Sequence, residues 1–157
     1  MKQIEKIQQK ITTPEEILKK GMKGKMIFTN GCFDVLHKGH IHYLSAAAEL
    51  GDYLVIGLNS DQSVQRLKGS GRPYLDQESR AYILAALSFV DFVVLFHEDT
   101  PYNLINTLRP DILVKGGDYK TEEIVGYDIV TSSGGQVIVI DIIEGYSSTK
   151  IINKLNS

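Results

Sequence analysis

The sequence predicts an α/β protein built on a doubly wound, mainly parallel five-stranded sheet with helices on both faces. Three observations carry that expectation. Five short apolar runs recur along the 157 residues, none with strict alternation, as for strands covered on both sides. Helix-period stretches lie between them, so successive strands are joined by crossovers rather than hairpins. Caps, glycines and prolines fall where each segment has to stop.

Thr13-Pro14-Glu15-Glu16 opens the first clear helix: Thr13 can cap, Pro14 suits the first helical position and Glu16 completes a capping box. That helix ends near Gly21, so residues 1–24 form a helical lead-in. Met26-Ile27-Phe28 is a buried strand broken at Gly31, and Ile41 to Leu50 is the helix after it, stopped by Gly51. Tyr53 to Leu58 is the second strand, followed by a short helix from Asp61 to Leu67 and another from the Asp76 cap to about Leu87. Phe92 to Phe96 is the third. Thr100-Pro101 then opens a helix that ends before Pro110, because the residue preceding a proline disfavours helix. Ile112 to Lys115 is the fourth strand, and Glu122 to about Ser132 reads as one helix closed by Gly134-Gly135. Val137 to Ile140 is the fifth, and Ser147 or Ser148 caps a last helix from Thr149 to Leu155. Sheets of this kind bind ligands at the carboxyl ends of their strands, where the strand order reverses.

The whole chain, 1–157, is expected to be one domain, with a soluble protein's 43% hydrophobic and 23% charged content. A net charge of -2 gives no basic field for nucleic acid. No apolar run approaches the roughly 20 residues of a membrane span, and the N-terminus lacks a signal-peptide core. Cys32, the single cysteine, excludes an internal disulfide and suits a reducing cytoplasm.

His37-Lys38-Gly39-His40 is the most informative segment. It lies where a helix starts at the carboxyl end of a strand, where backbone N–H groups and the helix dipole favour a phosphate. Gly39 lacks the Cβ that would hold an anion off, and the imidazoles can donate to oxygens that gain charge. A metal site is the competing reading. It lacks further ligands, since His97 is remote and Cys32 stands alone, so no protein-held metal is expected. Cys32 reads as a small buried residue, Phe33 chiefly as core, and Asp34 either as a brace for the loop or as a substrate contact.

Other residues join this edge. Arg66, Lys68 and Arg72 flank the glycines of a loop, which is either solvated or a mobile phosphate clamp. Lys115 ends a buried strand and needs an anion or solvent. Ser147-Ser148-Thr149 caps the last helix and exposes hydroxyls and N–H groups.

Thr29 to His40 resembles the signature of the cytidylyltransferase-like, H-x-G-H nucleotidyltransferases. Val55 to Asp61, Arg66 to Gly69, Gly71-Arg72-Pro73, Glu98 to Pro101, Val114 to Tyr119 and Ser147 to Thr149 follow in register. Together these blocks resemble the branch that adenylylates heptose 1-phosphate. That resemblance implies a Rossmann-like sheet and transfer of AMP from ATP to D-glycero-β-D-manno-heptose 1-phosphate. The products would be pyrophosphate and ADP-heptose, a lipopolysaccharide precursor. It further implies Mg²⁺ accompanying ATP, a cytoplasmic homodimer, and no nucleic-acid or membrane partner. Carried onto this chain, it makes His37, His40 and Lys68 catalytic. It assigns Thr29, Asn30, Gly31, Cys32, Phe33, Gly39, His40, Lys115, Gly117, Asp118, Ser147, Ser148 and Thr149 to the nucleotide. Asn59, Asp61, Arg66, Arg72 and Arg80 go to the substrate. Two departures separate the chain from the cytidylyltransferases: Gly116-Gly117-Asp118 replaces Gly-Asp-Asp, and Ile142-Ile143 stands where glycerol-phosphate enzymes carry an arginine. The alternative activity is CTP-dependent transfer to glycerol 3-phosphate or a similar alcohol phosphate. The alternative from another class is a nucleotide-binding protein without catalysis.

Overall fold

The computed structural model describes residues 1–157. Its single sheet contains β1 (Met26–Gly31), β2 (Tyr53–Asn59), β3 (Phe92–Phe96), β4 (Ile112–Gly116) and β5 (Gln136–Ile140). Every pairing is parallel, and the spatial order is β3-β2-β1-β4-β5. The chain winds outward from β1 through β2 to β3, then returns to lay β4 on the other side of β1. The expected doubly wound architecture is present.

Strand alternation sends side chains into two cores. Met26 and Phe28 of β1 join Ile17, Leu104, Ile105, Leu108, Ile129 and Val130 on one face. These come from α2 (Pro14–Lys19), α6 (Tyr102–Leu108) and α7 (Tyr127–Ser132). Ile27, one residue out of phase, joins Leu44, Ala47, Ala81, Leu84 and Ala85 on the other. Those belong to α3 (Lys38–Ala48) and α5 (Gln77–Ala85). The N-terminal lead-in holds α1 (Gln3–Lys10) as well as α2, and it hooks onto the exposed edge of β3. Ile11 bridges Val93, and the Thr12 N–H donates to the Val93 carbonyl at 3.0 Å.

Two boundaries differ from expectation. The helix expected over 122–132 is divided into a 3₁₀ turn, Thr121–Glu123, and α7. Gly126, at φ 93, lies between them, and a Cβ there would meet Ile105 Cδ1 at 2.7 Å. Helical periodicity continues through that glycine, but the backbone turns at it to press against α6. The helix after β1 starts at Lys38 rather than Ile41, because His37 caps it. The last two helices that bear on function are α4 (Asp61–Lys68) and α8 (Ser148–Leu155), the latter capped by Ser147.

The switch point is open. Pairing between β1 and β4 runs from Ile27↔Ile112 to Phe28↔Leu113 and stops there, although both strands continue to Gly31 and Gly116. Tyr43 of α3 fills the split from below. Its hydroxyl donates to the Val114 carbonyl at 3.3 Å and is hydrogen-bonded to Thr29 Oγ1. With the Tyr43 proton so committed, Thr29 is the donor in the second bond. Burial pushes the Tyr43 phenol up to about 12, so it stays protonated.

Candidate active site

The site grows from the first turn of α3. The His37 Nδ1 accepts from the Gly39 N–H at 3.1 Å, and the His40 Nδ1 accepts from the His37 N–H at 3.3 Å. Each ring therefore has its Nδ1 lone pair occupied by backbone, which leaves Nε2 to carry the proton. The two imidazoles stack at 3.8 Å between centroids, and the edge of Phe33 meets His40 at 5.4 Å. Burial lowers the pKa of both; His40, with His37 and Lys68 adding repulsion, falls to about 4. At neutral pH the pair is uncharged and presents two Nε2–H donors. Gly39 permits this packing: a Cβ there would lie 2.9 Å from His37 Cε1 and 3.1 Å from Tyr146 Cβ.

A chamber of about 270 Å³ opens above these rings, lined by His37, Gly39, His40, Tyr43, Lys68, Ile142, Ile143, Tyr146, Ser147, Ser148 and Thr149. The N-termini of α3 and α8 thus converge on one space containing a lysine and no carboxylate. Dipoles, N–H donors and cation all favour an anion there. Part of the expected donor set is internally engaged. The Gly39 N–H serves His37, the Ser147 Oγ accepts from the Lys150 N–H, and the Ser148 hydroxyl donates to the Val35 carbonyl at 2.8 Å. Thr149 is exposed at the chamber.

A second cavity, about 490 Å³, lies over the switch point, lined by Asn30, Gly31, Cys32, Asn59, Leu67, Lys68, Asp99, Thr100, Pro101, Lys115, Tyr119, Glu123, Ile124 and Val125. Lys68, at the end of α4, lines both spaces. Lys115 makes no ion pair; its Nζ sits 5.7 Å from the centre of the Tyr119 ring. Desolvation lowers its pKa. It is a half-buried ammonium without a counter-ion.

The expected residues divide accordingly. His37, Gly39, His40, Ser147, Ser148 and Thr149 gather in the small chamber, while Asn30, Gly31, Cys32, Asn59 and Lys115 gather in the large one. Some of the assigned residues lie outside both spaces. Thr29, expected at the nucleotide, is fully buried against Tyr43. Phe33 is core at φ 45, and neither Gly117 nor Asp118 lines either cavity. The Cys32 thiol is pushed up by burial, as for a packed residue rather than a nucleophile.

The arginines expected at the substrate are committed elsewhere. The buried Arg80 donates to the carbonyls of Leu75, Cys32 and Asn59 and to Asp61 Oδ1 at 2.8 Å, which also accounts for Asp61. Arg72 Nε pairs with Asp34 at 2.6 Å, and Arg66 Nε pairs with Asp99 at 2.8 Å. Sequence reasoning missed Tyr43, Tyr146, Glu123 and the Ile124-Val125 wall. Tyr146 directly precedes the caps of α8 and was the one within reach.

A parallel sheet whose switch point joins an anion-favouring chamber to a second cavity through one lysine suits an α/β protein that takes a phosphate-bearing ligand. The chain belongs to the cytidylyltransferase-like family of nucleotidyltransferases, whose family model matches residues 28–154. It is 60% identical over 134 residues to the bifunctional protein HldE of Syntrophotalea carbinolica, covering 85% of this chain and 27% of that protein. The corresponding protein of Campylobacter fetus is 56% identical over 149 residues, covering 94% of this chain and 32% of that one. The chain therefore spans less than a third of the length of these relatives. Among solved structures, the lipopolysaccharide core biosynthesis protein of Thermoplasma volcanium is 31% identical with a TM-score of 0.63, covering 80% of this chain and all of that one. Pantoate-β-alanine ligase of Francisella tularensis, 16% identical with a TM-score of 0.58 over 92% of this chain and 77% of that one, shares the fold. No helix is long and apolar enough to cross a membrane.

Proposed function

We propose that this domain transfers AMP from ATP to a sugar 1-phosphate, with D-glycero-β-D-manno-heptose 1-phosphate as the acceptor, releasing pyrophosphate and ADP-heptose. One observation carries the reading: two helix N-termini, two neutral imidazole donors and Lys68 face a carboxylate-free chamber that adjoins a second, lysine-bearing cavity. The small chamber takes the triphosphate. The large one takes the acceptor, with Lys115 on its phosphate, Asn30, Asn59 and Glu123 as hydroxyl partners, and Pro101, Ile124 and Val125 against the ring. The heptose assignment draws on the sequence blocks and on relatives that include a lipopolysaccharide core biosynthesis protein.

Transfer is in line. An acceptor phosphate oxygen bonds to the α-phosphorus of ATP as the bond to the bridging oxygen breaks, and pyrophosphate carries away the charge. A phosphate monoester with a second pKa near 6 is already largely dianionic at neutral pH, so no general base is required. His37 and His40 donate Nε2–H bonds to oxygens that gain charge, and the α3 and α8 termini stabilise the same charge. Lys68 lies between the two anions and screens their repulsion. No three His, Cys, Asp or Glu side chains cluster as a metal cage, and the chamber offers no carboxylate, so Mg²⁺ fits only as a companion of the triphosphate. Bound there, it supplies further charge neutralisation. The reading places the domain in the cytoplasm beside the ATP pool, as a homodimer by resemblance.

The test is a matrix of ATP and CTP against heptose 1-phosphate and glycerol 3-phosphate, scored by pyrophosphate release. ATP with heptose 1-phosphate should lead, and EDTA should abolish turnover. A lead for CTP with glycerol 3-phosphate would overturn the donor and acceptor assignment.

A further inference from the structure

Lys68 lines both cavities, yet no ion pair holds its ammonium. Residues 65–71 are all exposed, and a Cβ added at Gly69 or Gly71 would meet nothing within 4 Å. On the α4 side the segment is tied by the exposed Arg66–Asp99 pair, and on the far side of the glycines by a buried carboxylate. Asp34 belongs to the loop that leads from β1 into the histidine turn, and its side chain has 0% exposure. It accepts from Arg72 Nε at 2.6 Å, from the Tyr74 N–H at 2.8 Å and from the Leu75 N–H at 3.0 Å. The connection back to Lys68 is continuous. The Arg72 N–H donates to the Gly69 carbonyl at 3.1 Å, and the Gly69 N–H donates to the Gln65 carbonyl at 2.8 Å, closing the last turn of α4.

We infer that Asp34 is a positioning residue: it latches residues 72–75 to the histidine loop and thereby sets where Lys68 stands between the two anions. This rests on the proposed transfer only for its kinetic readout. The latch ties together the pieces that face phosphate, because the same loop also receives the Ser148 hydroxyl of α8 at the Val35 carbonyl. It is held on the arginine side through Nε alone; Arg72 Nη2 is buried without a partner. Asp34 therefore carries the ion pair by a single N–H and shares the remaining work with two backbone donors. Asparagine could still accept from Tyr74 and Leu75, but it would lose the charge that draws in Arg72.

A double-mutant cycle of Asp34→Asn and Lys68→Ala separates positioning from general support of the fold. If Asp34 acts through Lys68, Asp34→Asn lowers kcat by about 10-fold alone but by less than about 3-fold in the Lys68→Ala background. Equal fold losses in both backgrounds would overturn the inference. The same cycle is read on ATP affinity by calorimetry, which needs neither acceptor nor turnover. Should Asp34→Asn fail to fold, Arg72→Gln with Lys68→Ala runs the cycle from the loop side. A wild-type domain that binds ATP but releases no pyrophosphate with any acceptor would defeat the proposed transfer, while the affinity cycle would still decide the role of Asp34.

Discussion

At the scale of single residues, the site works by keeping its donors uncharged. Backbone N–H groups occupy Nδ1 of both histidines, and His40 is held to about 4. NMR titration should find His40 as the Nε2–H tautomer with a midpoint well under 6; a midpoint near 6.5 would remove the burial argument. Removing that donor in His40→Ala should lower kcat by about 10² or more, with a smaller change in ATP affinity. A variant with near wild-type turnover and merely weak ATP binding would take His40 out of the chemistry. Tyr43 and Thr29 carry a different kind of demand. Tyr43→Phe leaves two buried groups short of a partner and should cost about 1–3 kcal/mol in denaturant unfolding. The histidines and Lys115 were legible because glycines and a strand end single them out in the sequence. Arg80 was not: the carbonyls of Cys32 and Asn59 that hold its guanidinium lie 48 and 21 residues away, and only folding brings them together.

At the scale of elements, the strands were readable because each is a short apolar run with no competing period. Four of the five start at the expected apolar residue and the fifth one residue earlier, at Gln136, and the parallel pairing follows from the helices between them. Helix ends were readable where a side chain caps them, as at Thr13, Asp76 and Ser147. The break at Gly126 escaped, because its cause is the approach of Ile105 from α6 rather than anything in the local pattern. Gly126→Ala would force a Cβ into that contact at a left-handed φ. It should lower stability by about 1–3 kcal/mol while sparing the histidine geometry, read as a fall in Tm with ATP affinity retained. The loop after α4 makes the opposite prediction. With Ser70 and Gly71 exposed and unpacked, their amides should exchange fast in the free protein and slow when ATP binds. Equal protection in both states would count against Lys68 closing on the triphosphate.

At the scale of the whole molecule, stability and function pull against each other at the switch point. The sheet stops pairing just where it would cover the site, and Lys115 rises into that opening without a counter-ion. Desolvation lowers its pKa, so between its folded value and the ordinary 10.5 the unfolded chain binds more protons than the folded one. The sign follows: at neutral pH this ammonium makes the empty fold less stable, and the deficit shrinks as pH rises towards 10.5. The histidines have the same sign at lower pH. His40 favours folding above about 6.5 and withdraws that support as pH falls towards 4. An anion in the large cavity would relieve Lys115 by pairing with it. Lys115→Met, which keeps the stem and removes the charge, should therefore raise Tm in the empty protein, by about 0.5–2 kcal/mol of stability, while cutting turnover sharply. Lys154→Met, on the exposed last helix, should leave turnover unchanged. Phosphate acceptor should raise the wild-type Tm more than that of Lys115→Met. A Lys115→Met protein that is less stable than wild type, or equally responsive to the acceptor, would show that Lys115 is a structural cation and that the acceptor phosphate lies elsewhere.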